Sequence, residues 1–353
     1  MKIAYPICCG IDVHKSFLVA TIITTRPQSL EAEYQKKRFS TFNNSLLDFK
    51  QWLLANNCRH VCMESTGKYW IPVYNMLEDD IEVTIANPKW VSVVKGNKDD
   101  VKDSKWIGEL FRLGLVPGSF IPDKQIRLLR EFVRYRCKLV GMKASEKNRY
   151  QNAFTVCNIA LDSVVSSMFG KSATAIADYL TSDAPFDPQH CVTLLHGRLK
   201  RKAEQIVEAV EGFRMEPEQK TRIHVIQQHM QAIDYAVNQL DEVIDELAKP
   251  FSSHLELLCS IPGVKRITAI TILSEIGTDM SMFGSSKRLC SWAGLVPGNN
   301  QSAGKKKSVR ITRAGVYLKP ALVQAAHAAV RDKTCDYYRS KYQKIAGHRG
   351  KKK

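Results

Sequence analysis

The sequence predicts an α/β amino-terminal domain on a mixed sheet, a long helical and coiled-coil middle, and a mainly α carboxy-terminal domain. Three observations carry this. The first ~90 residues alternate short β-type apolar runs with helix-period runs. Residues 223–247 repeat apolar side chains at gaps of three and four. Beyond residue 257, short apolar helices are separated by turns rich in Pro, Gly and Asn.

Residues 7–13, 17–24 and 34–42 read as three consecutive strands. A helix follows over 45–55, with Leu46, Leu47, Phe49, Trp52 and Leu53 apolar. Then come a strand at 60–64, a helix at 68–77 and a strand at 82–86. Three strands followed by alternating helix and strand make a mixed sheet with helices on its faces. This is the order of a ribonuclease-H-like fold, in which the first strand and a later neighbour each present a carboxylate and a helix supplies the rest. Asp12, in Gly10-Ile11-Asp12-Val13-His14-Lys15, sits at the end of the first strand. Glu64 ends His60-Val61-Cys62-Met63-Glu64, and Asp100 and Asp103 stand three apart where a helical stretch begins. At that spacing both carboxylates share one helix face. Two Mg²⁺ ions held about 3.5–4 Å apart by oxygen ligands are what phosphodiester chemistry needs. Taken singly, a DxxD pair is commonly a solvated helix face. The order and context of the four acids set them apart. Asp99, four residues from Asp103, is the alternative to Asp100, and His14 reads as a surface histidine, with contact to a phosphate as its alternative.

Residues 124–160 read as helical. Arg127, Arg130, Arg134 and Lys138 form a basic stripe beside an apolar one of Ile126, Leu129, Val133 and Val140. Nine Lys/Arg in residues 124–150 face only Glu131 and Glu146, which favours phosphate contact over a merely solvated face. Residues 160–200 are uninformative. The seam Ile223, Ile226, Met230, Ile233, Val237, Leu240, Ile244 and Leu247 then runs until Pro250 stops it. Such a seam either packs in an intramolecular hairpin, on residues 200–213 or on the 124–160 helix, or also pairs two subunits.

Ile261-Pro262-Gly263-Val264 precedes an apolar helix at 267–276. A Pro-Gly turn between two short helices resembles a helix-hairpin-helix, whose second helix offers N–H groups to phosphate. Lys265-Arg266 replaces the usual second glycine, and a plain helical turn explains the segment equally well. The stretch from Trp292 to Gly304 is an ordered loop or hairpin with Ser302 at its tip, followed by Lys305-Lys306-Lys307. Such a serine is commonly a turn residue. Beside cations that can hold a phosphate, including Arg310 and Arg313, it is also a candidate nucleophile. A third, Ala-rich helix spans 316–330.

The 353 residues carry a net charge of +17, and residues 301–353 alone hold 15 Lys/Arg against Asp332 and Asp336. This density points to nucleic acid as partner, although the last basic residues also suit a solubilising tail. No apolar run reaches the ~18–20 residues that span a bilayer, and the opening Met1-Lys2-Ile3-Ala4-Tyr5-Pro6 reads as leading into a strand and not as a signal peptide. A cytoplasmic protein is expected. Its ten cysteines include no CxxC pair and read as reduced core thiols, with zinc disfavoured.

Together the motifs Gly10-Ile11-Asp12-Val13, Met63-Glu64-Ser65-Thr66-Gly67, Lys98-Asp99-Asp100-Val101-Lys102-Asp103, Ile261-Pro262-Gly263-Val264 and Ala293-Gly294 through Ser302-Ala303-Gly304 resemble one family. It is the DEDD-type insertion-sequence transposases, family one-hundred-and-ten, related to the pilin-gene inversion recombinases. The resemblance implies a RuvC-like DEDD domain over 1–122, a helical and coiled-coil region over 123–252, a transposase domain over 253–345 and a basic tail over 346–353. It implies that Asp12, Glu64, Asp100 and Asp103 bind Mg²⁺, two ions per site. It implies that Ser302 forms a phosphoserine–DNA intermediate and that an element-encoded guide RNA selects DNA by base pairing. Because acids and serine lie in different domains, a homo-oligomer, dimer or tetramer, is expected. The rivals are a metal-dependent junction nuclease without serine catalysis, and a non-catalytic nucleic-acid-binding scaffold.

Overall fold

In the computed structural model, which describes residues 3–26, 30–65, 67–91, 100–297, 300–308 and 310–350, the amino-terminal apolar runs form one five-stranded sheet. The chain divides into two compact units, Met1–Ile121 and Pro122–Lys353. In the first, β1 (Ile7–Val13), β2 (Phe17–Thr25), β3 (Ala32–Ser40), β4 (His60–Glu64) and β5 (Glu82–Ala86) stand in the order β3-β2-β1-β4-β5. The β1–β2 and β2–β3 pairs are antiparallel, whereas β1–β4 and β4–β5 are parallel. This is a mixed sheet with the strand order of the ribonuclease-H-like arrangement.

The central strands read as near-continuous apolar runs because both faces are covered. On one face α1 (Asn43–Ala55) and α2 (Trp70–Leu77) pack Leu46, Phe49, Leu53, Val73 and Leu77 onto Ile11, Leu18 and Ile22. On the other, beyond the short α3 (Pro88–Val91), α4 (Asp100–Arg112) lays Ile107 and Phe111 on Cys8, Ile23 and Cys62. The edge strand β3 is mostly polar: residues 33–38 are exposed, Ala32 and Ser40 half-buried and Phe39 buried.

In the second unit α5 (Lys124–Val156) and α10 (Pro217–Ala248) run antiparallel. Gln227 donates to the Tyr150 hydroxyl at 3.3 Å, and ion pairs join Lys143 to Asp234 and Arg136 to Asp241. The apolar seam is therefore closed within the chain, on the 124–160 helix. Of its members Ile223, Ile226, Met230, Ile233 and Ile244 are buried, while Val237, Leu240 and Leu247 are half-buried. Val140 does not belong to the buried stripe; it is 45% exposed, and Leu139 takes its place.

The chain between these helices folds back on itself as α6 (Leu161–Val164), α7 (Lys171–Thr181), α8 (Pro188–Thr193) and α9 (Ala203–Glu208). They bury Leu161, Ile176, Leu180, Leu195 and Ile206 against Phe154 and Ile223. Thus the least informative stretch of sequence has a core of its own. Beyond it lie α11 (Ser252–Cys259), α12 (Arg266–Ile276), α13 (Ser286–Trp292), a hairpin of β6 (Asn300–Ser302) and β7 (Lys305–Ser308), α14 (Leu318–Arg331) and α15 (Asp336–Arg349). α15 runs to Arg349, into the segment expected to be a basic tail. Residues 346–349 are helical, and Lys351, Lys352 and Lys353 lie outside the described residues.

Candidate metal centre and nucleic-acid interface

The parallel β1–β4 register pairs Gly10 with Cys62 and Ile11 with Met63. One step further along both strands stand Asp12 and Glu64, side by side at their carboxyl ends. Side chains alternate along a strand, so the face occupied by Gly10 and Cys62 is also that of Asp12 and Glu64. It is the face that α4 covers. A Cβ on Gly10 would lie 2.1 Å from the Ser104 carbonyl and 2.3 Å from the Gly108 nitrogen. Two facing glycines therefore let helix and strand backbones touch.

The helix runs against β1. The Cys8 thiol reaches the Gly108 carbonyl at 3.8 Å, while the buried Ser104 hydroxyl bonds Thr21, the β2 partner of Gly10, at 2.8 Å. Its amino-terminal end accordingly heads for the carboxyl end of β1, with Asp103, half-buried, just before Ser104 and Asp100 as its first residue. All four predicted acids thus belong to elements that meet at one end of the sheet. Asp99 and the Asp100 side chain lie outside the described residues. Among the described residues, no three His, Cys, Asp or Glu side chains stand close enough to hold one metal. The donor set is nevertheless all carboxylate oxygen, which suits Mg²⁺ and disfavours thiophilic metals.

His14, a surface histidine by sequence, faces Asp12. Its Nε2 lies 3.0 Å from Asp12 Oδ2, with the Asp12 side chain 19% exposed. The His14 ring stacks on Phe17 at 4.4 Å. An acid and a histidine two apart on a strand end could have signalled this, since such residues share a face. Cys8, Cys58 and Cys62 are buried by contrast. Burial pushes the thiols of Cys8, Cys58 and Cys62 up to about 12, and all ten cysteines are free.

In the second unit the predicted basic stripe divides. Arg130 donates to the carbonyls of Ser274 (2.7 Å) and Glu275 (2.8 Å), and Arg134 makes a two-pronged bond to the Glu275 carboxylate at 2.7 and 2.8 Å. Glu275 is only 3% exposed. Desolvation pulls Arg130 down to about 10, and the bond to Glu275 raises Arg134. These two arginines hold the end of α12 against α5, which corrects their reading as members of one open phosphate-facing stripe. Arg127 reaches the Pro122 carbonyl at 2.9 Å, and Lys138 is exposed.

The 261–264 turn joins α11 to α12, and a Cβ on Gly263 would strike the Ala325 carbonyl at 2.2 Å. That glycine serves packing on α14. Lys265 and Arg266 beside it are exposed, with Arg266 paired to Asp245 at 2.7 Å. Ser302 ends β6 and pairs in register with Lys305 across a two-residue turn, Ala303 (φ 49°) and Gly304 (φ 74°). Positive φ at both central residues is the geometry of a tight hairpin. The hairpin stands on a base where Pro297 bridges Ile311, and where a Cβ on Gly315 would meet the Ala293 carbonyl at 2.2 Å. Lys305, Arg310 and Arg313 are exposed; the side chains of Ser302, Lys306 and Lys307 lie outside the described residues.

Residues 9–159 match a family model for DEDD-type IS110 elements, described as a transposase. Residues 255–343 match one described as the transposase IS116/IS110/IS902 family. A transposase for insertion sequence element IS1111A from Coxiella burnetii (strain RSA 493 / Nine Mile phase I) is 27% identical over 280 residues, 77% of this chain and 66% of its own length. A putative transposase, y4qE, from Sinorhizobium fredii (strain NBRC 101917 / NGR234) is 32% identical over 93 residues, 24% of each chain. The chain therefore matches less than two thirds of either relative. Among solved structures, a Fowlpox virus resolvase in complex with substrate Holliday junction DNA aligns at 17% identity over 26% of this chain and 64% of that one. Its TM-score is 0.21, too low an overlap to carry an argument. The two family models fall on separate segments and agree with each other: the chain belongs to the IS110/IS116/IS902 family of transposases.

Proposed function

We propose that the protein is a DNA transposase that cuts and rejoins the DNA of its own insertion sequence, using a carboxylate-held metal centre and a serine nucleophile. One observation carries the metal-centre part of this reading: the β1–β4 register sets Asp12 beside Glu64 on the face and at the end where α4 begins. Asp12, Glu64, Asp100 and Asp103 would hold Mg²⁺. When bound, Mg²⁺ neutralises charge on the phosphate and lowers the barrier to displacement.

The chain's own groups supply the rest. Ser302 Oγ forms a bond to the phosphorus as the bond to the leaving strand's hydroxyl breaks, so the serine proton is lost and the hydroxyl gains one. In the rejoining step a DNA hydroxyl displaces Ser302 by the reverse exchange. The energy of the phosphodiester is conserved, which hydrolysis by water would dissipate. His14 orients the Asp12 carboxylate. Lys265, Arg266, Lys305, Lys306, Lys307, Arg310 and Arg313, with Arg127 and Lys138, contact nucleic-acid phosphates. An element-encoded guide RNA selects the sites by base pairing, and the protein works as a homo-oligomer.

The test is a suicide DNA substrate incubated with protein, Mg²⁺ and guide RNA. Wild-type protein should become covalently trapped, with the adduct mapping to the peptide that contains Ser302. Ser302→Ala should lose the adduct, and Asp12→Asn should lose both adduct and cleavage. Free cut ends from Ser302→Ala at the wild-type rate would replace this reading with a metal-dependent junction nuclease.

A further inference from the structure

The registers of the first unit form one row across the sheet. Glu64 stands beside Asp12, Asp12 pairs with Val19, and Val19 pairs with Arg38 on the free edge β3. Cross-strand partners share a face, so Arg38 lies on the face of the acids. Two strand spacings separate it from β1, about 10 Å. Lys36, two residues back on β3, lies on the same face, and Lys36, Lys37 and Arg38 are all exposed.

Arg38 is not simply a solvated cation. Its guanidinium sits 3.8 Å above the Phe17 ring, Phe17 stacks on His14 at 4.4 Å, and His14 reaches Asp12 at 3.0 Å. An unbroken line of contacts thus leads from a candidate metal ligand to an exposed charge on the sheet edge. Among the described residues no carboxylate pairs with Arg38 or Lys36. Charges on an edge strand also discourage edge-to-edge pairing, but any cation does that. The aromatic seat beneath Arg38, and its place in the row of the acids, are features that protection does not need. A guanidinium fixed on a ring keeps its fork of N–H donors aimed outward at little entropic cost, which suits a phosphate.

We infer that Arg38, with Lys36 one step along the same edge, grips the phosphate backbone of a nucleic-acid strand running from the acid cluster across β2 and β3, with His14 and Phe17 as its floor. This rests on the metal-centre reading above. The recognised chemistry is a phosphodiester backbone, and DNA and RNA oligonucleotides of one sequence distinguish its source.

The experiment measures binding of the full chain to labelled single-stranded DNA and to the matching RNA, without Mg²⁺ so that no chemistry intervenes, over a range of salt. Each lost single-strand phosphate contact should lower the slope of log affinity against log salt by about 0.7. Arg38→Gln should show one such loss and the Lys36→Gln/Arg38→Gln double variant about 1.4. Lys249→Gln, which removes an exposed cation paired with Glu246, should keep the wild-type slope. Arg38→Lys should keep the slope but bind more weakly, because the stacked fork is gone. A loss on DNA alone identifies a DNA strand, on RNA alone a guide strand, and on both a shared path. An unchanged slope on both polymers, or an equal fall in Lys249→Gln, overturns the proposal. Failure of the metal centre reads out separately, as wild-type protein that never cuts with Mg²⁺ while Arg38→Gln still lowers the slope.

Discussion

Asp12 has a neighbour that holds it. A carboxylate that ligates a metal works best when an outer hydrogen bond fixes its rotamer, and removing such a partner typically costs 10–100-fold in metal affinity or activity. His14→Ala should therefore raise the Mg²⁺ concentration for half-maximal cleavage roughly 10-fold while the maximal rate changes less, in contrast to Asp12→Asn, which should not cut at any Mg²⁺ level. Equal Mg²⁺ requirement in His14→Ala and wild type would remove His14 from the site. The four acids stand out in the sequence because carboxylates at the ends of apolar runs are conspicuous. His14 does not. A histidine after a strand looks the same whether it faces water or a ligand, and only the turn that returns the chain to Phe17, with the His14 nitrogen bonded to the Phe17 carbonyl at 2.9 Å, decides it.

Among the elements, α4 depends most on what its side chains lack. Gly10 and Gly108 remove the two Cβ atoms that would hold the helix off β1, so its first turn comes down at the acid end of the sheet. The two substitutions should differ. A Cβ at Gly108 meets first the flexible tip of Ile23, at 2.7 Å, whereas at Gly10 it meets backbone at 2.1 Å. Gly108→Ala should cost about 1–2 kcal/mol and Gly10→Ala about 3 kcal/mol or more, in the range of overpacked cores. Denaturant unfolding checks the order, and both variants should cut more slowly. Equal stability of Gly10→Ala and wild type would contradict the flush packing of α4.

Periodicity was enough to locate the 223–247 seam, but not its partner, because a seam is the same whether it closes on its own chain or on another. The ion pairs from Arg136 and Lys143 to α10 settle that closure. The basic stripe misled for a related reason. Arg130 and Arg134 follow helical spacing with no local acid, and their true partner, Glu275, lies over 140 residues away. Long-range pairs of this kind leave no trace in a window of twenty residues.

For the whole molecule, the acids and Ser302 fall in different compact units, Met1–Ile121 and Pro122–Lys353, and the two family matches fall mainly one on each. The excess of 52 Lys/Arg over 35 Asp/Glu falls almost wholly in the second unit, 37 against 22, while the first is nearly balanced, 15 against 13; a basic second unit suits contact with phosphate backbones. Everything proposed for it, strand cutting, serine attachment and a strand path over Arg38, depends on metal gathering where β1, β4 and α4 meet. The most direct measurement is anomalous scattering from crystals soaked with Mn²⁺ in place of Mg²⁺. The account predicts two peaks about 3.5–4 Å apart, bounded by Asp12, Glu64 and the first turn of α4, and their loss in Asp12→Asn. Manganese bound elsewhere, with the Asp12 and Glu64 carboxylates bare, would contradict it.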